Sequence, residues 1–475
     1  MNKTIEKQVI ESLQGLVRIE SVESKAAHGM PFGKGINDAL EYFLNLAAKL
    51  GLQTKNYDGY AGEIILEASG HNGGGGVVLS ACIDGSTTSP PPCVAVLVHL
   101  DTVPAGDGWT HPPFSGVVKG GKMYGRGVMD DKGAAVVSLY VLKRLQGENA
   151  PRSKTIKLIA GCDEESGQLC MKHYKKHAQM PEIGFSPDAD FPVINCEKTI
   201  LQLKLNICAD KVFAALVESI ECGNRPNVVP DTAEARLCGG SVLKFKGKAA
   251  HSMVAFEGDN AAHKLVKALQ DRAGKGKSAA LDFLAGFLCD TDGKALGINA
   301  RDEKSGELTM NFASLKYGKT NIEAVLDLRC PLSVDVEKLV DTIQCTMMGH
   351  GDTVPDPACH ESFPHDPYMP ETNAQCTMHN AQLEVLYRQP GIYVDPESEL
   401  VKTLLGAYEK VTGKKGKCII SGGGTYARHL KRGVAFGPAE KNSENNVHSA
   451  DEFIEIAQLE TMYDIYYEAI KELVK

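Results

Sequence analysis

The chain has no apolar run near the ~20 residues that span a bilayer; its longest such stretch, Val94 to Leu100, is far too short, and a membrane partner is not expected. It has no basic excess either. Acidic residues outnumber basic ones, 60 against 51, for a net charge of −9, a balance that repels polyphosphate and argues against nucleic-acid binding. There is no CxxC pair among the 14 cysteines, which excludes a zinc ribbon or a thioredoxin-type motif. Met1 to Glu20 is amphipathic and lacks the apolar centre of a secretory signal, so a cytoplasmic protein with reduced thiols is expected. Internal repeats are absent, and low-complexity sequence is limited to a four-glycine turn at Gly73–Gly76.

What is present is ordinary globular composition in 475 residues, enough for two to four structural units. Apolar spacing predicts helices over Ile5–Val17, Ile36–Leu50 and Gly133–Leu145, and strands over Cys93–His99 and Thr155–Ala160. The first of these strands is almost wholly apolar, which fits a parallel sheet covered on both faces, an α/β arrangement. From Cys196 the texture changes. Strands are expected over Ile200–Cys208, Ala233–Phe245 and Asn321–Leu328, with helices over Lys211–Ile220, Asn260–Leu269 and Val336–Met347, a second α+β unit. Residues 350–392 read as an irregular connection, before helices at Leu400–Val411 and Glu455–Val474.

Five segments concentrate His, Asp and Glu where strands and turns end. His99 and Asp101, two apart in a strand, share a face. Gly127-Val-Met-Asp130-Asp131-Lys132-Gly133 sets two carboxylates before a helix, readable as an N-cap or as a cation ligand. Asp163-Glu164-Glu165 follows a strand, where three adjacent acids are either solvated or neutralised by a cation. Ser186-Pro-Asp188-Ala-Asp190 and Asn446-Val-His448-Ser-Ala-Asp451-Glu452 complete the set. Each segment alone reads as turn and cap chemistry. Together they supply two imidazoles and several carboxylates without thiolate pairs, a mixed N/O inventory suited to zinc, manganese or cobalt and sufficient for two ions if one carboxylate is shared.

These segments, with Ala105-Gly-Asp-Gly-Trp109, Phe185 to Pro192 and Gly422-Gly-Gly-Thr425-Tyr426, make the chain resemble the aminoacylase/carboxypeptidase-type co-catalytic metallopeptidases, and within them the bacterial dipeptidases of the PepV type. The resemblance implies two divalent cations, one held by His99, Asp130 and Asp188 and the other by Asp130, Glu165 and His448. Asp101 would orient His99, Glu164 would be the general base, and the peptide between Asp130 and Asp131 would be cis. It also implies a catalytic domain of residues 1–196 and 385–475, a mostly parallel sheet with helices on both faces, interrupted by a lid domain of residues 197–384. From the lid, His251 would donate to the oxyanion, Arg329 would read a substrate carboxylate, and Asn224 would lie on the substrate side. Gly423, Gly424 and Thr425, ahead of an expected helix, would form a second carboxylate nest; a plain glycine turn is the other reading.

The reaction so implied is hydrolysis of dipeptides with a free N-terminus, by a monomer or a dimer. An N-acyl-amino-acid or succinyl-diaminopimelate deacylase of the same family, or a binding protein retaining the fold, are the alternatives. Two further expectations concern thiols and loops. Cys162, two residues before Glu164, is either a small buried hydrophobe or a redox partner of Cys170 or Cys196. Cys359, His360, His365, Cys376 and His379 are either ordinary loop residues or an accessory zinc site.

Overall fold

The structure is a computed structural model that describes residues 1–69, 92–148, 151–318, 320–348, 381–440 and 445–475. Gly73–Gly76 and the cluster from Cys359 to His379 lie outside the described residues. Two compact units are formed, one of Met1–Asn195, Tyr393–Ile419 and Thr425–Lys475, the other of Cys196–Ile392 and Ile420–Gly424.

The first unit is built on a mixed sheet. Its centre runs Thr155–Gly161, Cys93–His99, Ile183–Ser186, Arg432–Ala435, all mutually parallel. The edges are antiparallel: the hairpin Gln53–Tyr57 and Ala61–Leu66 joins on one side and Val193–Glu197 on the other. The parallel reading therefore holds for the middle of the sheet only. Residues 94–99 are buried on both faces, which requires cover on each side. Helix Lys132–Gly147 lies on Cys93–His99 and is backed by Lys3–Val17 and Ile456–Leu473. Lys34–Lys49 and Leu169–His177 pack on the 53–66 hairpin. Parallel register fixes where chemistry can gather. His99 pairs with Gly161 and Val96 with Phe185, so the carboxyl ends of three strands stop along one edge of the sheet.

The second unit is a seven-stranded antiparallel sheet ordered Val242–Lys246, Thr232–Leu237, Val217–Cys222, Thr309–Tyr317, Asn321–Cys330, Thr199–Cys208, Gln382–Gln389. Helices Ala261–Ala273, Ala279–Phe287 and Val336–Met348 contribute to its separate apolar core. Several expectations are corrected here. The helix expected over Lys211–Ile220 stops at Leu216, and the β-branched, alternating Val217–Cys222 continues as a strand. The single strand expected over Ala233–Phe245 is a hairpin turning at Cys238–Gly240. Gln382–Gln389 is a strand rather than irregular chain, pairing with Thr199–Cys208, so the return to the first unit falls at Tyr393 and not at residue 385. Among the described residues no helix is long and apolar enough to cross a membrane.

Candidate active site

The acidic and imidazole segments converge at the carboxyl edge of the parallel strands. His99 ends its strand with 1% exposure, its Nδ1 2.9 Å from the backbone oxygen of Asp101 and 3.5 Å from that residue's Oδ1. Nδ1–H donation to this carbonyl turns Nε2 outward, the nitrogen a cation would take. Asp101 thus orients His99 chiefly through its backbone, while its Oδ2 accepts from the N–H of Glu165 at 3.0 Å and fixes the acidic turn. Asp130 occupies the centre. Its Oδ1 is 2.8 Å from Nε2 of His99 and its Oδ2 3.0 Å from Nε2 of His448. Asp188, at the end of Ile183–Ser186, places Oδ1 3.7 Å from Nε2 of His99, and Glu165 places Oε1 3.0 Å from Nε2 of His448. The potential ligand atoms of His99, Asp130 and Asp188 lie within 4.8 Å of one another, as do those of Asp130, Glu165 and His448. The Asp130–Asp131 peptide is cis.

Charge at this edge is badly matched by protein alone. Burial pushes Asp131, Glu164 and Glu165 up, reinforced by neighbouring carboxylates, and raises Asp188 to about 7 despite His99. Burial would raise Asp130 too, but hydrogen bonds from His448 and His99 outweigh it and hold that carboxyl well below the usual range. The converse holds for His448: burial lowers it, yet Asp130 and Glu165 lift it to about 11. Protons on the two imidazoles offset part of this charge, and the donor set of histidine nitrogens and carboxylate oxygens fits a pair of divalent cations.

Residues outside the expected ligand set hold it in shape. Glu452, fully buried, accepts through Oε1 from the N–H groups of Gly127, Met129 and Asp130 at 3.1, 3.0 and 3.4 Å, and through Oε2 from Nη1 of Arg126 at 2.6 Å. The loop carrying His448 has Asn446, His448 and Asp451 in left-handed conformation (φ 53°, 60° and 57°), a costly backbone for residues with side chains. It is tied down where Asp451 accepts from the backbone N–H and Oγ1–H of Thr110. Tyr426 is buried edge-on to His99, and its hydroxyl lies 2.9 Å from Sγ of Cys170. Glu452 and Asp451 had one sequence signal, their place in the last acidic segment, and Tyr426 had its place at the end of the glycine motif; Arg126 had none that separated it from core.

Glu164 accepts from Nε2 of Gln168 at 2.8 Å. The redox reading of its neighbour Cys162 is not supported. Cys162, Cys170 and Cys196 are all buried, and burial pushes the Cys162 thiol well up and that of Cys170 to about 12, away from the reactive thiolate.

In the second unit His251 precedes the short 3-10 helix Ser252–Glu257, and its Nδ1 accepts from the N–H of Met253 at 3.1 Å, so the neutral ring carries its proton on Nε2. Asn311 fixes this segment, its Nδ2 donating to the oxygens of Pro226 and Val228 and to Oγ of Ser252. Asn224 lies in an exposed turn outside the paired stretch. The chain instead brings Asn227 alongside, its oxygen accepting from Ser252 N–H at 2.9 Å. Arg329 is buried and forks onto Asp327 at 2.6 and 3.1 Å, while its Nη1 donates to the oxygen of Gly422 at 2.7 Å. Gly422 must be glycine, since a Cβ there would lie 2.5 Å from Cβ of Met253. The expected helix after the glycine loop is one 3-10 turn, Tyr426–His429, capped by Thr425 Oγ1, and the N–H of Gly423 donates to Ser421 Oγ at 2.9 Å. A helix-dipole nest is therefore not built at Gly423–Thr425.

Known proteins place the chain in a family. The sequence model of peptidase family M20/M25/M40 matches residues 95–472. A Bacillus subtilis (strain 168) protein named "Putative dipeptidase YtjP" is 35% identical, covering 98% of this chain and 97% of its own length. "Putative dipeptidase MW1694" of Staphylococcus aureus (strain MW2) is 32% identical over the same shares. Among solved structures, the M20 family metallo-carboxypeptidase Sso-CP2 of Sulfolobus solfataricus superposes with a TM-score of 0.57 at 16% identity, covering 99% of each chain. Human carnosine dipeptidase 1 gives 0.56 at 12%, covering 99% of this chain and 96% of its own. At such identities the solved structures speak for the fold, whereas the family match and the full-length relatives fix the lineage. The chain belongs to peptidase family M20/M25/M40.

Proposed function

We propose that this enzyme hydrolyses dipeptides with an unblocked N-terminus, using two divalent cations, zinc or manganese with cobalt as a substitute. The observation that carries the reading is Asp130, whose two oxygens face two imidazoles at 2.8 and 3.0 Å as a carboxylate shared between two ions would. The relatives named as dipeptidases support the substrate class. His99, Asp130 and Asp188 hold one cation, and Asp130, Glu165 and His448 the other. When bound, such a pair polarises a carbonyl and brings the pKa of a bound water toward ~7.

The chain's own residues do the rest. Glu164, pushed up by burial and by Asp188, is suited to take the water's proton and return it to the leaving amine. His251 is assigned the donor to the oxyanion, the role its Nε2–H tautomer allows. Arg329, bonded to Gly422, is assigned the substrate carboxylate.

A panel of dipeptides, tripeptides and N-acetyl amino acids tests this, run on chelated enzyme resupplied with manganese, zinc or cobalt. Turnover of dipeptides is expected; turnover of acylated amino acids alone would overturn the substrate assignment. Glu164→Ala is expected to keep its metal and lose about 10²–10⁴ in kcat, and normal turnover by that variant would remove Glu164 from the mechanism.

A further inference from the structure

A second gathering of imidazole and carboxylate lies elsewhere on the first unit. The 53–66 hairpin turns through Tyr57-Asp58-Gly59-Tyr60, with Asp58 and Gly59 both left-handed (φ 55° and 76°) and Tyr60 N–H donating to the oxygen of Tyr57 at 2.9 Å. This two-residue Asp-Gly turn is the tight type matched to strand twist, and Asn56 Oδ1 braces it by accepting from Gly59 N–H. Asp58 therefore projects from a fixed tip. Helix Leu169–His177 packs on both strands of the hairpin and presents His173 and His177, one turn apart, on one side.

The two imidazoles are already oriented. Nε2 of His173 is 2.9 Å from Oδ2 of Asp58. Its ring is held between Tyr60 (centroids 4.0 Å apart, planes 9°) and His177 (4.2 Å, 28°). Nδ1 of His177 lies 3.0 Å from the oxygen of His173, so it donates there and leaves Nε2 as a lone pair, the arrangement metal-bound histidines adopt. The potential ligand atoms of all three residues lie within 4.8 Å of one another. Two donors on one zinc ion, each ~2.0–2.2 Å from it, stand up to ~4.2 Å apart. The Asp58 side chain, 71% exposed, has room to turn as the three donors draw in.

Charge and chemistry point the same way. His177 is the last residue of its helix, where the peptide dipoles present their negative end to a cation. Lys175 and Lys176 are in the same turn and moderate the attraction. Two imidazoles and one carboxylate select a borderline ion such as zinc over magnesium or calcium, and the exposed side leaves room for water to complete the shell.

We propose that Asp58, His173 and His177 form a separate zinc site that clasps the hairpin tip to the end of helix Leu169–His177. The ion is structural. Gln168 and the N–H of Leu169, at the helix's opposite end, hold Glu164 and Asp163, so the clasp braces the far end of the element that follows the acidic turn.

The test uses the full chain, stripped with chelator, reloaded with zinc chloride, and assayed for zinc per chain and for melting temperature. His177→Ala and Asp58→Asn are each expected to hold one zinc fewer than the parent, to lose part of the zinc-dependent rise in melting temperature, and to keep parental peptide hydrolysis. Equal zinc counts in parent and both variants would overturn the proposal. Because the readout is a difference between variants, it stands apart from how many ions the cluster around Asp130 holds. Copper(II) spin resonance gives a second measure: nitrogen splittings present in the parent and reduced in His173→Ala support the site, and identical spectra refute it.

Discussion

The substitution Glu452→Gln isolates the support beneath Asp130. It keeps shape and volume but replaces one carboxylate oxygen by an NH2 group that cannot accept. In the native chain Oε1 accepts from three backbone N–H groups and Oε2 from the Arg126 guanidinium, with both side chains at 2% exposure or less. If the glutamine oxygen faces the backbone, its NH2 meets Nη1 of Arg126, and a buried cation loses its partner, at a cost of about 3–5 kcal/mol. If the amide flips, backbone donors of the 127–130 loop lose their acceptor, at about 1–3 kcal/mol for each group left unsatisfied. Neither orientation escapes, so a loss of about 3–5 kcal/mol is expected. Supporting groups of this kind also typically contribute 10–100-fold in metal affinity, and Asp130, displaced from between its two imidazoles, is expected to show that loss. Trp109 is a convenient reporter. It is the sole tryptophan, its Nε1 donates to the oxygen of Ala105, and the Arg126 guanidinium sits 5.2 Å from its ring centroid. Urea unfolding followed by Trp109 emission reads the affected region directly. A Glu452→Gln chain that unfolded within 1 kcal/mol of the parent and bound manganese equally well would refute the reasoning.

Three more outcomes follow from the same contacts. Gly161→Ala sets a Cβ 2.3 Å from the Tyr426 hydroxyl and 2.5 Å from its ring, so it is expected to destabilise by about 1–3 kcal/mol in a thermal melt; an unchanged melt would show that Tyr426 moves freely. His263, lowered by burial to about 4, binds its proton less readily folded than unfolded, so its contribution is complete above pH ~6.5 and is lost as pH falls toward 4. At pH 5 the second unit should be weaker by about 2 kcal/mol on this account. His263→Gln should flatten the urea midpoint between pH 7 and 5, and an equally steep profile would assign the dependence elsewhere. Removing metal should lower the melting temperature as well as abolish turnover, since the carboxylates around Asp130 then repel; a chelated chain that melted with the parent would contradict that charge argument.

How much of this was written in the sequence depends on how local each constraint is. Strand Cys93–His99 was legible to the residue because burial on both faces leaves no polar position in it before His99. The bounds of the helices at Lys3–Val17 and Val336–Met348 were legible to within two residues because one apolar stripe repeats every turn. Val217–Cys222 was not, because a helical stripe and a half-buried strand compete over so short a run and the pairing with Thr232–Leu237 decides between them. The gathering of His99, Asp130, Glu165, Asp188 and His448 was legible through the resemblance to the co-catalytic metallopeptidases, since each acidic segment alone reads as turn and cap chemistry and only the set of them hints at unmet charge. That signal cannot say how the shape is held. Glu452 and Arg126 are 326 residues apart, and only the folded chain brings them together under Asp130. The same limit hid the Asp58, His173 and His177 cluster: 115 residues separate the hairpin tip from the helix, and only the packing of Leu169–His177 on the hairpin closes that gap.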